Sequence, residues 1–509
     1  MSKLTPTRIR TWLRLAFAGA ALLLSMPVPL KAQQSGTDWG SLLGRLGETV
    51  DKLSEMAVSP EQEREIAETE RPKVMAQFGG EYIDQAWRDY VTGIVQNLAR
   101  FSARPDLPYT VTILNSPVVN AFALPAGYVF VTRGLLALVE TEAELAGVLA
   151  HEMGHVTARH TAQRYGRSVV VGGGTQLLGW LTGSTSLQGI GEAAGSLWIQ
   201  GFSREQEFQA DELGVQTMAR ASYDPRAMAS FLEKLQQQDA LQATLAGRQP
   251  GEGDKLNLFA THPRTAERVE RAIQQAGLSG VTQGRNEREA YLRRVDGLLY
   301  GDDPAQGFVR GRTFLHPQLG FRFEVPEGFQ LLNGVEEVTA PGPNGATILF
   351  DAAGETFGGN MRAYIAERWG KQAPLMNLEP LAVNGMDGAS ALARLNTQSG
   401  PVDVRFTAVR FAPDRIYRFQ FLAPTQYAQA LWPEFGKVTG SFRRLTPQEV
   451  ASVRPQRLRL VAAGPQDTVQ TMAQRLAPSD HQVERFRTLN GLKPGQAVAA
   501  GRLYKIVTE

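Results

Sequence analysis

The stretch Leu149-Ala150-His151-Glu152-Met153-Gly154-His155 constrains this 509-residue chain more than any other. Two histidines stand four residues apart, with a glutamate directly after the first. On an α-helix, positions i and i+4 lie about 40° apart around the axis, so both imidazoles leave one face. Two neutral imidazoles so placed can bind one Zn²⁺, and Glu152 stands beside them, able to take a proton from water at the metal. The flanks read as helix. Thr141-Glu142-Ala143-Glu144 has the form of a capping box, and Leu145, Val148 and Leu149 give an apolar stripe. The chain has six histidines, three of them between positions 151 and 160, which argues against a chance pairing. His160 falls nine residues after His151, on the opposite face of a continuous helix, and reads as a surface histidine.

A second stretch, Ser203-Arg204-Glu205-Gln206-Glu207-Phe208-Gln209-Ala210-Asp211, supplies what the first lacks. Glu207 and Asp211 are again four apart on one helix face. That spacing suits a carboxylate ligand at Glu207. It leaves Asp211 behind, where it could accept the outer N–H of a metal-bound histidine and fix its tautomer.

HExxH followed by ExxxD is a gluzincin pattern, and the wording EFQAD after Ser203-Arg204 resembles the CAAX prenyl endopeptidases. The similarity is greatest to that family's soluble, BepA-like periplasmic branch. The resemblance implies a mainly helical metalloprotease domain with a small active-site sheet. It implies His151, His155 and Glu207 as ligands of one Zn²⁺ per chain, and Glu152 as the catalytic base. In that family the wording Asn-Ala-Phe-Ala…Pro-Ala-Gly, present here from Asn120 to Gly127, forms the edge of the active-site sheet. Asn120, Ala121 and Phe122 would then offer a strand edge to an extended polypeptide. The family also often carries the Thr-His-Pro seen at 261–263. His262 could therefore reach the metal site, as a fourth ligand or as an oxyanion donor.

The first 32 residues read as an export signal. Lys3, Arg8, Arg10 and Arg14 form a basic start, and Leu15 to Met26 a short apolar run. That segment holds five of the 53 Lys and Arg residues and none of the 51 Asp and Glu, so the remainder carries a net −3. Such a balance gives no reason to expect nucleic acid as a partner. Cysteine is absent, which an exported chain of this size tolerates. A periplasmic location is the expectation.

In chain order, a linker is expected over 33–60 and the protease domain over 61–280. Within that domain, Tyr109 to Leu114 reads as a strand and Val118 to Val131 as a further extended segment. The Gly-rich, apolar segment 168–201 reads as a cover over the cleft, with transient membrane contact open to it. Residues 240–259 read as a loop. A helical linker is expected over 281–305. Residues 306–445 resemble a PsbP-like α+β module. Residues 456–509 resemble a degenerate LysM module with βααβ order, a type that binds peptidoglycan glycan. The whole is therefore of the α+β class.

Function follows from these expectations as a zinc endopeptidase of the cell envelope, acting on misfolded or unassembled polypeptides. Contact with outer-membrane assembly is a further expectation. The competing reading is a chaperone that keeps the protease fold and turns over little substrate. Glu152 argues against it, since a pure binder has no need of a base beside its metal.

Overall fold

The computed structural model describes residues 58–164, 201–245, 258, 262, 266–397 and 400–509. The expected export signal, nearly all of the 33–60 linker and the Gly-rich segment up to residue 200 lie outside them. Ser59 caps the first helix, α1 (Pro60–Gln77), through reciprocal bonds with Gln62, and Pro60 stands at its first position. Asp84 caps α2 (Gln85–Ala99), which turns Trp87, Val91, Ile94, Val95 and Leu98 inward at helical spacing.

Three short strands follow, β1 (Thr110–Leu114), β2 (Ala121–Leu124) and β3 (Tyr128–Thr132). β3 is central, parallel to β1 and antiparallel to β2. The extended segment read from 118 to 131 is a hairpin. It reverses at Pro125-Ala126-Gly127, where Ala126 and Gly127 both take positive φ. All four residues of β2 are buried, because α4 covers the sheet.

Next come α3 (Arg133–Leu138) and α4 (Glu142–Thr157). Thr141 caps α4 by accepting from the Glu144 N–H at 2.9 Å. The expected box is only half made. The Glu144 carboxylate instead accepts from the Glu140 N–H at 2.8 Å and pairs with Lys234 at 2.7 Å. Helix α4 is buried from Glu142 to Val156, so it forms the axis of the first core. Around it lie α5 (Arg204–Arg220), α6 (Arg226–Leu245), α7 (Ala266–Leu278) and α8 (Arg288–Val295). α6 runs six residues into the stretch expected to be loop from 240.

Helices α4 and α5 meet closely because both present glycine at the crossing. A Cβ at Gly154 would lie 2.8 Å from the Ala210 carbonyl oxygen, and one at Gly214 would lie 3.2 Å from the His151 nitrogen. Bulk at either position would push apart the two helices that carry the candidate site.

Residues 308–444 build a second core. Strands β4 (Phe308–Arg310), β5 (Thr313–His316), β6 (Phe321–Glu324), β7 (Leu332–Asn333), β8 (Glu337–Pro341) and β9 (Thr347–Ala352) come first. Then follow β10 (Met376–Val383), β11 (Met386–Thr397), β12 (Gly400–Ala412), β13 (Arg415–Pro424) and β14 (Arg443–Arg444). They make an antiparallel seven-stranded sheet in the order β10-β11-β12-β13-β9-β8-β7, and a four-stranded sheet in the order β14-β6-β5-β4. α9 (Thr425–Ser441) packs against β13, and Phe321, Phe323, Phe350, Phe419 and Phe442 fill the space between.

The tail has the expected βααβ order: β15 (Arg457–Ala462), α10 (Val469–Ala473), α11 (Gln482–Leu489) and β16 (Leu503–Thr508), with β15 and β16 antiparallel. Val469, Met472, Phe486, Tyr504 and Ile506 form a small core of its own, while Leu458, Leu489 and Val507 pack into the core around α4. Residues 281–305, expected as a helical linker, also contribute Tyr291, Val295 and Leu298 to that core. Only Arg288–Val295 is α-helical, Tyr291 is fully buried, and its hydroxyl donates to the Leu136 carbonyl at 2.7 Å.

Lys505 makes the deepest of these contacts. It is 0% exposed, and its Nζ donates to the carbonyls of Ala137, Leu138 and Val139 at 2.7, 2.9 and 3.0 Å. Those groups end α3 without intrahelical partners, so a lysine from the tail caps the helix that precedes α4. The Asn490 side chain holds Lys505 in turn, accepting from its N–H at 2.7 Å and donating to its carbonyl at 2.9 Å.

Candidate metal centre

His151 and His155 leave α4 on the face turned to α5, and Glu207 leaves α5 toward them. His262 reaches the same point from just before α7. One donor atom from each of these four buried residues lies within 4.8 Å of all the others. His151 Nε2 is 3.1 Å from His155 Nε2 and 3.2 Å from His262 Nδ1. Glu207 Oε1 is 2.9 Å from His262 Nδ1 and 3.5 Å from His155 Nε2. Four donors held tetrahedrally at about 2.0–2.1 Å from Zn²⁺ are separated by about 3.3–3.4 Å, which matches this set.

The protonation pattern points the same way. His151 Nδ1 lies 2.8 Å from Asp211 Oδ1. A carboxylate only accepts, so that nitrogen carries the proton and the Nε2 lone pair faces the cluster. Lone pairs of two imidazoles and a carboxylate then converge on one buried point, an arrangement that a cation relieves. The residues fit a divalent metal.

Burial sets the electrostatics of every group here. It pushes the Glu152 carboxyl up, with His262 and His151 opposing. Burial pulls His155 well below the usual histidine range. It pulls His151 down as well, but the bond to and charge of Asp211, with the charge of Glu207, outweigh it and leave His151 raised. Burial would raise Glu207, yet His262, His155 and Arg268 hold it well below the ordinary carboxylate range. Arg268 does the same for Asp211.

Glu152 is 1% exposed, and its Oε1 has no hydrogen-bond partner among the described residues. It lies 3.5 Å from His262 Nε2. Val148, Met228, Phe231, Leu232 and Leu235 line a small apolar pocket of about 20 Å³ that opens on His151, Glu152 and His262. Leu258 also lines it and donates its N–H to the Val119 carbonyl at 3.0 Å, one residue before Asn120. Ala121 and Phe122 in the edge strand β2, and Asn120 just before it, are all buried.

Sequence reasoning misread one residue here and overlooked two. His160 is 1% exposed, not a surface histidine, and its Nδ1 lies 2.9 Å from His155 Nδ1. The helix does not run straight to it. Arg159 takes φ of 58°, and this left-handed turn swings His160 back under His155. Arg268, buried on α7, binds Asp211 at two points and reaches Glu207 Oε2 at 2.5 Å. Nothing local in the sequence marks it. Phe202, just before α5, stacks on His155 with ring centres 3.8 Å apart and fixes the plane of that imidazole.

Residues 86–276 match the family described as Peptidase family M48. The chain is 30% identical over 218 residues to the mitochondrial metalloendopeptidase OMA1 of Schizosaccharomyces pombe, covering 42% of this chain and 60% of that one. It is 28% identical over 221 residues to the beta-barrel assembly-enhancing protease of Escherichia coli, covering 42% of this chain and 43% of that one. The chain thus spans less than two thirds of the length of these curated relatives. Among solved structures, cyanobacterial PsbP from Synechocystis aligns over 27% of this chain and 98% of its own, with 14% identity and a TM-score of 0.21. The segment that brings the four donors together is thus similar, by its sequence, to the M48 peptidases.

Proposed function

We propose that this chain is a zinc-dependent endopeptidase of the cell envelope, with misfolded or unassembled envelope proteins as substrates. His151, His155 and Glu207 hold the metal in this reading. The observation that carries it is the convergence of their donor atoms beside a buried carboxylate with an unused oxygen. The bound metal would supply Lewis acidity, making water a nucleophile near neutral pH and polarising a carbonyl.

Glu152 acts as the general base. Burial raises its proton affinity, which suits a group that must take a proton from water and pass it to the leaving amine. Asp211 and Arg268 orient His151 and Glu207. The substrate lies along the outer strand β2 and pairs through main-chain hydrogen bonds. The apolar pocket beside Glu152 receives one of its side chains.

His262 restrains this machinery at rest. With Nδ1 2.9 Å from Glu207 Oε1 and 3.2 Å from His151 Nε2, it stands where a fourth ligand would stand. A site with four protein ligands is closed to substrate. Leu258 supports the same reading, since its N–H already engages the carbonyl next to the proposed substrate edge. Envelope location rests on the export-signal pattern of the first 32 residues. Glycan binding by the tail rests on its LysM-like order.

The direct test is elemental analysis of the purified full chain, followed by cleavage of unfolded outer-membrane protein and of casein with and without a chelator. One zinc per chain and chelator-sensitive cleavage are expected. Full cleavage after the metal is stripped would remove this reading.

A further inference from the structure

The two histidines of the motif are held from behind by different chemistry. Asp211 Oδ1 lies 2.8 Å from His151 Nδ1. His155 meets another imidazole, His160 Nδ1, at 2.9 Å. Two ring nitrogens at that distance share one proton. His155 directs Nε2 into the cluster, 3.1 Å from His151 Nε2, so its neutral tautomer with a free Nε2 lone pair carries the proton on Nδ1. His160 Nδ1 must then be the acceptor, which leaves the His160 proton on Nε2. There it meets Gln209 Oε1 at 2.9 Å. An unbroken direction of donation runs from His155 to His160 to Gln209. Gln209 sits on α5, between Glu207 and Asp211, so one helix supplies the carboxylate of the cluster and the backing of both histidines.

We infer that His160 is a positioning residue for the metal: its neutral ring accepts the Nδ1–H of His155 and so fixes the tautomer that presents Nε2. This rests on the reading of His155 as a ligand. An imidazole, not a carboxylate, suits this place on charge grounds. Glu152, Glu207 and Asp211 already lie buried within the site, with the Arg268 guanidinium against the last two. A further buried carboxylate would add to that negative charge and carry its own desolvation cost, which a neutral acceptor avoids. The left-handed turn at Arg159 makes the geometry possible, and two bonds hold that turn: Arg159 Nε to Glu63 at 2.6 Å and Nη2 to the Val58 carbonyl at 2.5 Å.

The test compares zinc affinity, by chelator competition, in the full chain and its His160→Phe, His160→Asn and His155→Ala variants. Phenylalanine keeps a ring and removes the acceptor, and asparagine keeps an acceptor oxygen. His155→Ala should abolish tight binding, and His160→Phe should weaken it about 10–100-fold, the usual range for groups behind a ligand. His160→Asn should recover most of that loss. A merely space-filling role predicts the reverse order, with phenylalanine the milder change. Imidazole ¹⁵N spectra of the metal-loaded wild type give a readout independent of any variant's folding. They should show His155 protonated at Nδ1 and His160 at Nε2. Wild-type affinity in His160→Phe, or a His160 proton on Nδ1, would overturn the inference. Wild-type affinity in His155→Ala would instead remove the ligand set itself.

Discussion

Arg268 holds Asp211 at two points, Nε to Oδ2 at 2.7 Å and Nη2 to Oδ1 at 2.8 Å. Asp211 Oδ1 also faces His151 Nδ1, so the guanidinium sets the position of the group that sets the histidine. Lysine cannot reproduce that planar fork. Arg268→Lys should therefore weaken metal affinity about tenfold, and Asp211→Ala about 10–100-fold, since both act from behind the ligands. Competition titration with a chromophoric chelator measures both. Unchanged affinity in Arg268→Lys would detach the arginine from the metal's support.

Glu152→Gln separates binding from turnover. Glutamine keeps the shape and removes the proton acceptor, so metal content should stay at the wild-type level. Cleavage should fall by about 10²–10⁴-fold, the usual contribution of a positioned base. Wild-type cleavage by this variant would show that the base lies elsewhere.

Gly154 is a packing position with a catalytic consequence. Its Cβ would sit 2.8 Å from a backbone oxygen of α5, which no side-chain rotation relieves. Gly154→Val should part α4 from α5 and lose both stability, by about 1–3 kcal/mol as overpacking commonly costs, and tight metal binding. Thermal unfolding and elemental analysis on the same preparation check the two effects. Normal zinc content in a stably folded variant would mean the crossing tolerates more space than its geometry allows.

His262→Ala tests the resting state. If His262 fills the fourth ligand position, its removal should raise basal proteolysis; if it donates to an oxyanion, removal should depress it. The 2.9 Å approach to Glu207 favours a rise. Initial rates on an unfolded protein substrate decide, and a rate within about twofold of wild type would exclude both roles.

Lys505→Met should destabilise the protease region and not only the tail. It strips three buried carbonyls of their donor and leaves Glu140 and Glu144 with less positive charge nearby. The loss should be about 3–5 kcal/mol, as for breaking a buried charged contact from one side. A drop in the midpoint of a single unfolding transition is the expected result. Two separate transitions with an unaltered protease would contradict the shared core.

How much of this was legible beforehand depended on how local each signal was. His151, His155, Glu207 and Asp211 announce themselves because helical spacing alone puts each pair on one face. The tail's element order was readable for a similar reason, since Asp467-Thr468 opens one helix and Asn490-Gly491 marks the turn after the next. The place of His160 is not legible from spacing, because a straight helix would turn it away and the φ of 58° at Arg159 leaves no mark in residue type. Arg268 meets partners 57 residues upstream, and Lys505 meets carbonyls more than 360 residues upstream. No periodicity carries information over such distances.

That last separation bears on how the molecule comes into being. The separation of 368 positions between Ala137 and Lys505 makes this a strongly non-local contact. Closing so large a loop is entropically slow, and non-local contacts form late in folding. The end of α3, and with it the start of the helix bearing His151 and His155, stays unfinished until β16 has docked. A nascent chain would hold both metal-binding motifs long before it held the strand that steadies them. Order of synthesis alone would then leave the end of α3 uncapped until a distant segment of the same polypeptide has arrived.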